Sequence, residues 1–133
     1  MILQVGVKIL LKNTENKYLF VRRATSFKVG PQKWDIPGGR IEIEEKLEDA
    51  LRREVREETS MQLEKVDSLL AAQDIFVHDK DLHVIRLTYA GSATGDVVIS
   101  EEHDDYRWMT IAELNSEPHT DIYLQQVVAE NDL

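Results

Sequence analysis

The sequence predicts an α/β domain in which a β-sheet packs against helices, and three observations carry that prediction. Apolar residues alternate along the first strand-like stretch, one central segment has helical periodicity, and further strand-like runs lead into two capped helical segments at the end. The 133 residues, 42% of them hydrophobic, suit a single domain over 1–133 with one core. No low-complexity tract, long linker or internal repeat interrupts them.

In chain order, Val5, Val7, Ile9 and Leu11 alternate within "MILQVGVKILL" and predict a strand over 3–11. Gln4 and Lys8 interrupt the apolar run that a signal peptide would need, so the expectation is a cytoplasmic protein with no membrane span. The polar "KNTENK" reads as a turn, 18–22 as a second strand, and "TSFKVGPQ" as a loop. A short strand over 34–36 ends at Pro37, where the ring fixes φ, and Gly38 and Gly39 follow where the backbone can bend or approach a ligand. A helix is expected over 46–59. After it, apolar runs predict strands over 66–77, 82–90, 97–99 and 106–109, punctuated by "HDKD" and "ATGD". Thr110 and Glu113 fit a capping box for a short helix, and 121–129 reads as a terminal helix.

Charge narrows the function. Sixteen basic against twenty-five acidic side chains give a net charge of -9, which disfavours long nucleic acids as partners. With no Cys there is no disulfide, thiolate metal site or thiol nucleophile, so chemistry falls to oxygen ligands, His or a bound metal. The distribution is uneven. Lys17, Arg22, Arg23, Lys28, Lys33 and Arg40 form a basic segment opposed only by Asp35, whereas acids dominate from Ile41 to Asp67. A basic segment running into an acidic helix suits an anionic ligand held by Lys or Arg on one side and through divalent metal on the other. Chance clustering on a solvated surface is the alternative.

Within the helix, Leu47, Ala50, Leu51 and Val55 form an apolar stripe at about 100° per residue. Glu54 and Glu58 project along that same stripe, with Glu57 at its edge. Carboxylates so placed repel one another and are costly to shield from water unless a cation or hydrogen bond compensates. A wet helix face is the plainer reading. The stripe favours a cation site.

Reading outward, Gly39 is followed after five residues by Glu45, and after seven more by Arg53-Glu54-Val55-Arg56-Glu57-Glu58-Thr59-Ser60-Met61. This resembles the signature of the Nudix hydrolases, matching every fixed position except the second Gly, which is Ser60. "WDIPGG" precedes it. The resemblance implies a Nudix-like α/β/α sandwich with a mixed sheet between helices. It further implies hydrolysis of a nucleoside diphosphate linked to another group, in the nucleoside triphosphate, ADP-ribose or nucleotide-sugar class, with Mg²⁺ or Mn²⁺ as cofactor.

Carried over by position, Glu54, Glu57 and Glu58 are the implied metal ligands, with the Gly38 carbonyl joining them. Glu45 is a secondary ligand or a structural acceptor favoured by the helix dipole. Arg53 is expected to orient a carboxylate of its own helix. Arg22, Arg23 and Arg40 are candidates for substrate phosphate, each with a solvated surface charge as the alternative. In "SEEHDDYRWM", Glu102 matches a loop acid that approaches the metal in many members, with Glu101 its rival. Either Glu54 or Glu102 is the general base. Glu102 is preferred, because a metal-bound carboxylate is a poor proton acceptor. His103 reads as structural, and Trp34 and Trp108 as core aromatics.

Two departures concern backbone geometry. Ser60 replaces a Gly that would supply φ > 0 after the helix, and Glu44 stands where members often carry Gly. Neither removes a ligand. The implied partner is a small nucleotide, with neither membrane nor long nucleic acid, and the resemblance leaves room for a homodimer. Non-catalytic rivals are a Nudix-fold nucleotide sensor, which would not need the intact ligand set, and an acidic structural domain with a coincidental motif.

Overall fold

Strand β1 (Ile2–Leu11) organises the fold, and the computed structural model describes residues 1–26 and 30–133 around it. The predicted loop over 25–32 is described on either side of 27–29; those three residues, including Lys28 of the basic run, lie outside the described residues. Strand β1 pairs antiparallel with β4 (Gly38–Arg40) and parallel with β6 (Leu82–Thr94), which pairs antiparallel with β5 (Gln62–Val77). The order β4-β1-β6-β5 makes a mixed four-stranded sheet. A second, antiparallel sheet has β2 (Tyr18–Arg23) between β3 (Trp34–Asp35) and β7 (His103–Met109).

The two faces of β1 feed two apolar cores. Val7, Ile9 and Leu11 pack with Ala50, Leu51 and Val55 of helix α1 (Leu47–Thr59), so the predicted helical stripe meets the predicted strand alternation. Leu10 faces the other way, joining Phe20, Trp34, Ile36 and Leu124 beneath α2 (Ile111–Asn115) and α3 (Ile122–Glu130). Helices on both sides of the sheets give the expected α/β/α sandwich. Trp34 is buried in the second core, and Trp108 packs half-buried against the first. Among the described residues, no helix is long and apolar enough to cross a membrane.

Local chemistry sets the ends of the helices. Thr110 and Glu113 form the reciprocal capping box of α2. Asp121 caps α3 by accepting from the Tyr123 and Leu124 amides at 2.9 and 3.0 Å. Helix α1 carries Glu48 and Asp49 in its first turn and Arg56 in its last, the charge order its dipole favours.

Strand β6 runs four residues past the expected 82–90 and β7 starts three before the expected 106, and three further differences have a local cause. Strand β4 forms at Gly38 and Gly39, where the sequence points to a backbone that bends or approaches a ligand and not to a strand, because Gly38, at φ 142°, lets the chain lie close against β1. A Cβ there would sit 2.0 Å from the Val7 carbonyl oxygen. Residues 97–99 form no strand. The Val98 and Ser100 amides instead donate to the carbonyls of Thr59 and Glu58 at 2.9 and 3.1 Å, satisfying the orphaned end of α1. Strand β5 begins four residues before the expected 66, at Gln62, and its pairing with β6 carries three register shifts, the first of them between Leu63 and Lys65.

Candidate metal and phosphate site

The last two turns of α1 and the segment tied to their carbonyls enclose a recess of about 300 Å³ lined by Glu54, Glu57, Glu58, Ser100, Glu101 and Glu102. The bond from the Ser100 amide to the Glu58 carbonyl brings the loop acids to the helix acids, 40 or more positions apart in sequence. Every carboxylate proposed from the sequence as a ligand or base, Glu45 apart, therefore faces one space.

Glu58 is the most buried of them, at 5% exposure. Its Oε2 accepts from the Gly38 amide at 3.1 Å, and among the described residues it has no salt bridge. Burial pushes its pKa up to about 8, Lys8 and the Gly38 amide oppose the rise, and the neighbouring Glu54 and Glu102 add to it. A carboxylate so placed lacks a cation. Of the other two helix acids, Glu54 is largely buried and Glu57 is open, with 59% of its side chain exposed. Gly39 belongs to this packing, since a Cβ on it would meet the Glu54 carboxylate at 2.7 Å.

Arg53 ties the acidic face together. It donates to both Glu45 oxygens at 2.8 and 2.9 Å, to Glu54 at 2.8 Å, to Glu57 at 3.4 Å and to the Arg40 carbonyl at 3.2 Å. Its partners raise its pKa far above the usual guanidinium value. Glu45 also accepts from the Glu42 amide at 3.0 Å, and hydrogen bonds from Arg53 and that amide lower its pKa to about 2. It thus holds the turn before α1 and orients Arg53, outside the residues that line the recess.

Among the described residues, no three Asp, Glu or His side chains stand close enough to enclose a metal as they are arranged. Glu54 is bonded to Arg53 and Glu58 to the Gly38 amide, which turns the two carboxylates toward different partners. The donor set still fits a hard divalent cation. It offers several carboxylate oxygens, those of Glu58 on a buried side chain without a salt bridge among the described residues, and no nitrogen or sulfur ligand.

The three candidate phosphate arginines separate. Arg22 pairs with Asp104 at 2.7 Å and lies over the Trp34 ring. Arg23 turns inward to Asp35 and Asp121. Arg40 borders a second recess of about 220 Å³, with Gln4, Gly6, Lys8, Gly39, Ile75, Val84 and Arg86, largely on the sheet face opposite α1. The Gly38 and Gly39 backbone divides this sheet recess from the carboxylate recess.

Below the sheet recess, Asp35 is buried at 1% exposure and bonded to Arg86 at 2.9 and 3.3 Å and to Arg23, with Lys8 at 3.5 Å. Although burial opposes ionisation, Arg86, Lys8 and Arg23 hold its pKa far below the ordinary carboxylate range. Sequence reasoning missed this cluster and gave Lys8 no role. A Lys in the middle of an otherwise apolar strand was the available signal.

His103 lies buried near Lys8, and burial, then Lys8, lowers its pKa to about 4. Ser60 takes the left-handed conformation at φ 63°, as does Glu44 at φ 67°. Ser60 Oγ also donates to the Val98 carbonyl at 3.0 Å.

The NUDIX domain family matches residues 2–128. Nucleoside triphosphatase NudI of Salmonella agona (strain SL483) is 34% identical over 114 residues, 79% of this chain and 80% of that protein. NudI of Klebsiella pneumoniae (strain 342) is 34% identical over 119 residues, 80% of this chain and 82% of that protein. The m7GpppN-mRNA hydrolase NUDT17 of Danio rerio is 48% identical over 59 residues, 44% of this chain, which spans only 20% of that longer relative. In fold, the chain superposes on a MutT protein from Methanosarcina mazei Go1 with a TM-score of 0.85 at 24% identity, covering 96% and 91% of the two chains.

Proposed function

This chain belongs to the NUDIX family and is a hydrolase of phosphoric anhydride bonds, and on that premise we propose that it is a divalent-metal-dependent pyrophosphohydrolase of a nucleoside triphosphate or another nucleoside diphosphate derivative. One observation carries the metal dependence: Glu58 is buried among other carboxylates without a salt bridge among the described residues. The relatives named nucleoside triphosphatase support the triphosphate over the other nucleotide classes.

Glu54, Glu57 and Glu58 would hold Mg²⁺ or Mn²⁺, with the Gly38 carbonyl completing the protein's share and Glu45 acting through Arg53. The ion supplies neutralisation of the phosphate oxygens and of the leaving group. Arg53 keeps Glu54 aimed at the recess. Arg40 at the rim of the sheet recess is the best placed of the three arginines for substrate phosphate, since Arg22 and Arg23 are engaged with aspartates. Glu102, on the loop side of the carboxylate recess, takes the proton as water forms the new P–O bond and the anhydride P–O bond breaks. Glu54, already bonded to Arg53, serves as ligand.

Every residue of this site comes from one chain, so the reading holds for a monomer and a homodimer alike. A cytoplasmic place of action fits a chain without Cys. A panel of nucleoside triphosphates, ADP-ribose and nucleotide sugars, incubated with Mg²⁺ or Mn²⁺ and resolved by chromatography, tests the reading. It expects a nucleoside monophosphate product that appears only with metal. Turnover undiminished by chelator would refute it.

A further inference from the structure

The sheet recess is basic in a chain whose net charge is -9. Lys8, Arg40 and Arg86 border it, and among the described residues no acid does. Arg86 is committed to Asp35 and Asp121. Lys8 is held differently. Its Nζ donates to the Ile36 carbonyl at 3.1 Å and stands 3.5 Å from Asp35, with 19% of the side chain still exposed. An ammonium has three N–H donors, so one is left for a ligand entering the recess. Lys8 is not the nearest cation to Asp35, because Arg86 and Arg23 bind that carboxylate more closely.

The position of Lys8 relative to the carboxylates is fixed by Gly38. Strand register sets Lys8 opposite Gly38, and a Cβ on Gly38 would touch the Lys8 side chain at 2.9 Å. The amide of that same glycine holds Glu58. Lys8 therefore stands at the divide between the two recesses. Its charge is the strongest opposition to the burial of Glu58, which agrees with that placement.

We propose that Lys8 is a substrate-contacting cation of this enzyme, gripping the polyphosphate chain where it passes over Gly38 and Gly39 from the sheet recess to the carboxylate recess. The assignment rests on the pyrophosphohydrolase reading and adds a residue to it.

Inorganic tripolyphosphate with Mn²⁺ is the probe, its binding measured by calorimetry on the full chain. Lys8→Met should weaken tripolyphosphate binding and raise KM for the best nucleotide by about 10- to 100-fold, the range for one charge-assisted hydrogen bond. Mn²⁺ affinity without polyphosphate should change little, and Lys8→Arg should recover part of the loss. A purely structural Lys8 would instead lower the melting temperature and leave KM alone. If Lys8→Met binds tripolyphosphate as the wild type does while the wild type turns over nucleotides, the Lys8 assignment falls and the enzyme reading stands.

Should Lys8→Met fail to fold, acetylation of the wild type decides. Saturating Mn²⁺-tripolyphosphate should slow labelling of Lys8 by about tenfold and leave Lys80, on the exposed β5–β6 hairpin, unaffected. Equal labelling of Lys8 with and without the probe overturns the proposal, whatever the nucleotide panel shows.

Discussion

Asp35 and Glu58 are both buried carboxylates, exposed at 1% and 5%, yet their surroundings drive them in opposite directions. Asp35 is met by Arg86, Arg23 and Lys8 and stays ionised. Glu58 is met by one backbone amide and by the charge of Lys8 without a salt bridge, with Glu54 and Glu102 nearby, and its pKa climbs to about 8. The first has its cations built into the chain and pins β3, β6 and α3 together. The second lacks one. Burial alone therefore does not separate structural from functional acids, but the company each keeps does.

The largest expected effect lies on the structural side. Asp35→Asn leaves Arg86 and Arg23 without their central anion and should cost about 3 to 5 kcal/mol of stability, read from a denaturant midpoint. A loss below about 1 kcal/mol would mean that Asp121 alone can hold both arginines. On the functional side, if Glu57 is a metal ligand as proposed, Glu57→Gln should lower turnover at least about a hundredfold with the fold intact, since it would remove a charge from the metal shell. Near-wild-type rates in that variant would remove Glu57 from the metal set.

The two regions meet at His103, buried near Lys8. Its folded pKa of about 4 lies below the ordinary 6.5. The unfolded chain therefore takes up a proton first as the medium acidifies. The contribution of neutral His103 is present above pH 6.5 and is lost as pH falls toward 4. His103→Asn should flatten the stability profile across that window, and an unchanged acid limb would show that another group governs it.

How much of this was legible in the sequence follows the range of each interaction. Strand β1, helix α1 and the capping box rest on residues a few positions apart, and their periodicities stood out. The Asp35 cluster did not, because Arg86 lies 51 positions away and joins it only through the sheet. Residues 97–99 have strand propensity, but the Val98 amide and that of the adjacent Ser100 donate to the unsatisfied carbonyls ending α1. The family signature and the loop each point to acids of the recess, while Lys8 interrupts an apolar run and carries no motif.

The smallest effects separate the two departures from that signature. Glu44 holds φ 67° on the surface, and none of its side-chain hydrogen bonds is found among the described residues, so Glu44→Gly should stabilise by about 0.5 to 1 kcal/mol. Ser60→Gly relieves the same strain but loses the bond to the Val98 carbonyl, so its gain should fall toward zero. Equal gains in the two variants would show that the Ser60 bond contributes nothing.

Thermal melting of the wild type and Glu58→Gln at pH 8.5, with and without Mn²⁺, tests the contrast most directly. A carboxylate whose folded pKa is raised to about 8 from 4.5 costs stability as pH rises through that interval, so at pH 8.5 the metal-free wild type bears the whole cost. Without metal, Glu58→Gln should therefore melt several degrees above the wild type. Saturating Mn²⁺ should raise the wild type by about 5 to 10 °C and the variant by far less. A variant that melts lower without metal and gains as much from Mn²⁺ as the wild type would contradict the view that Glu58 is buried to receive a cation.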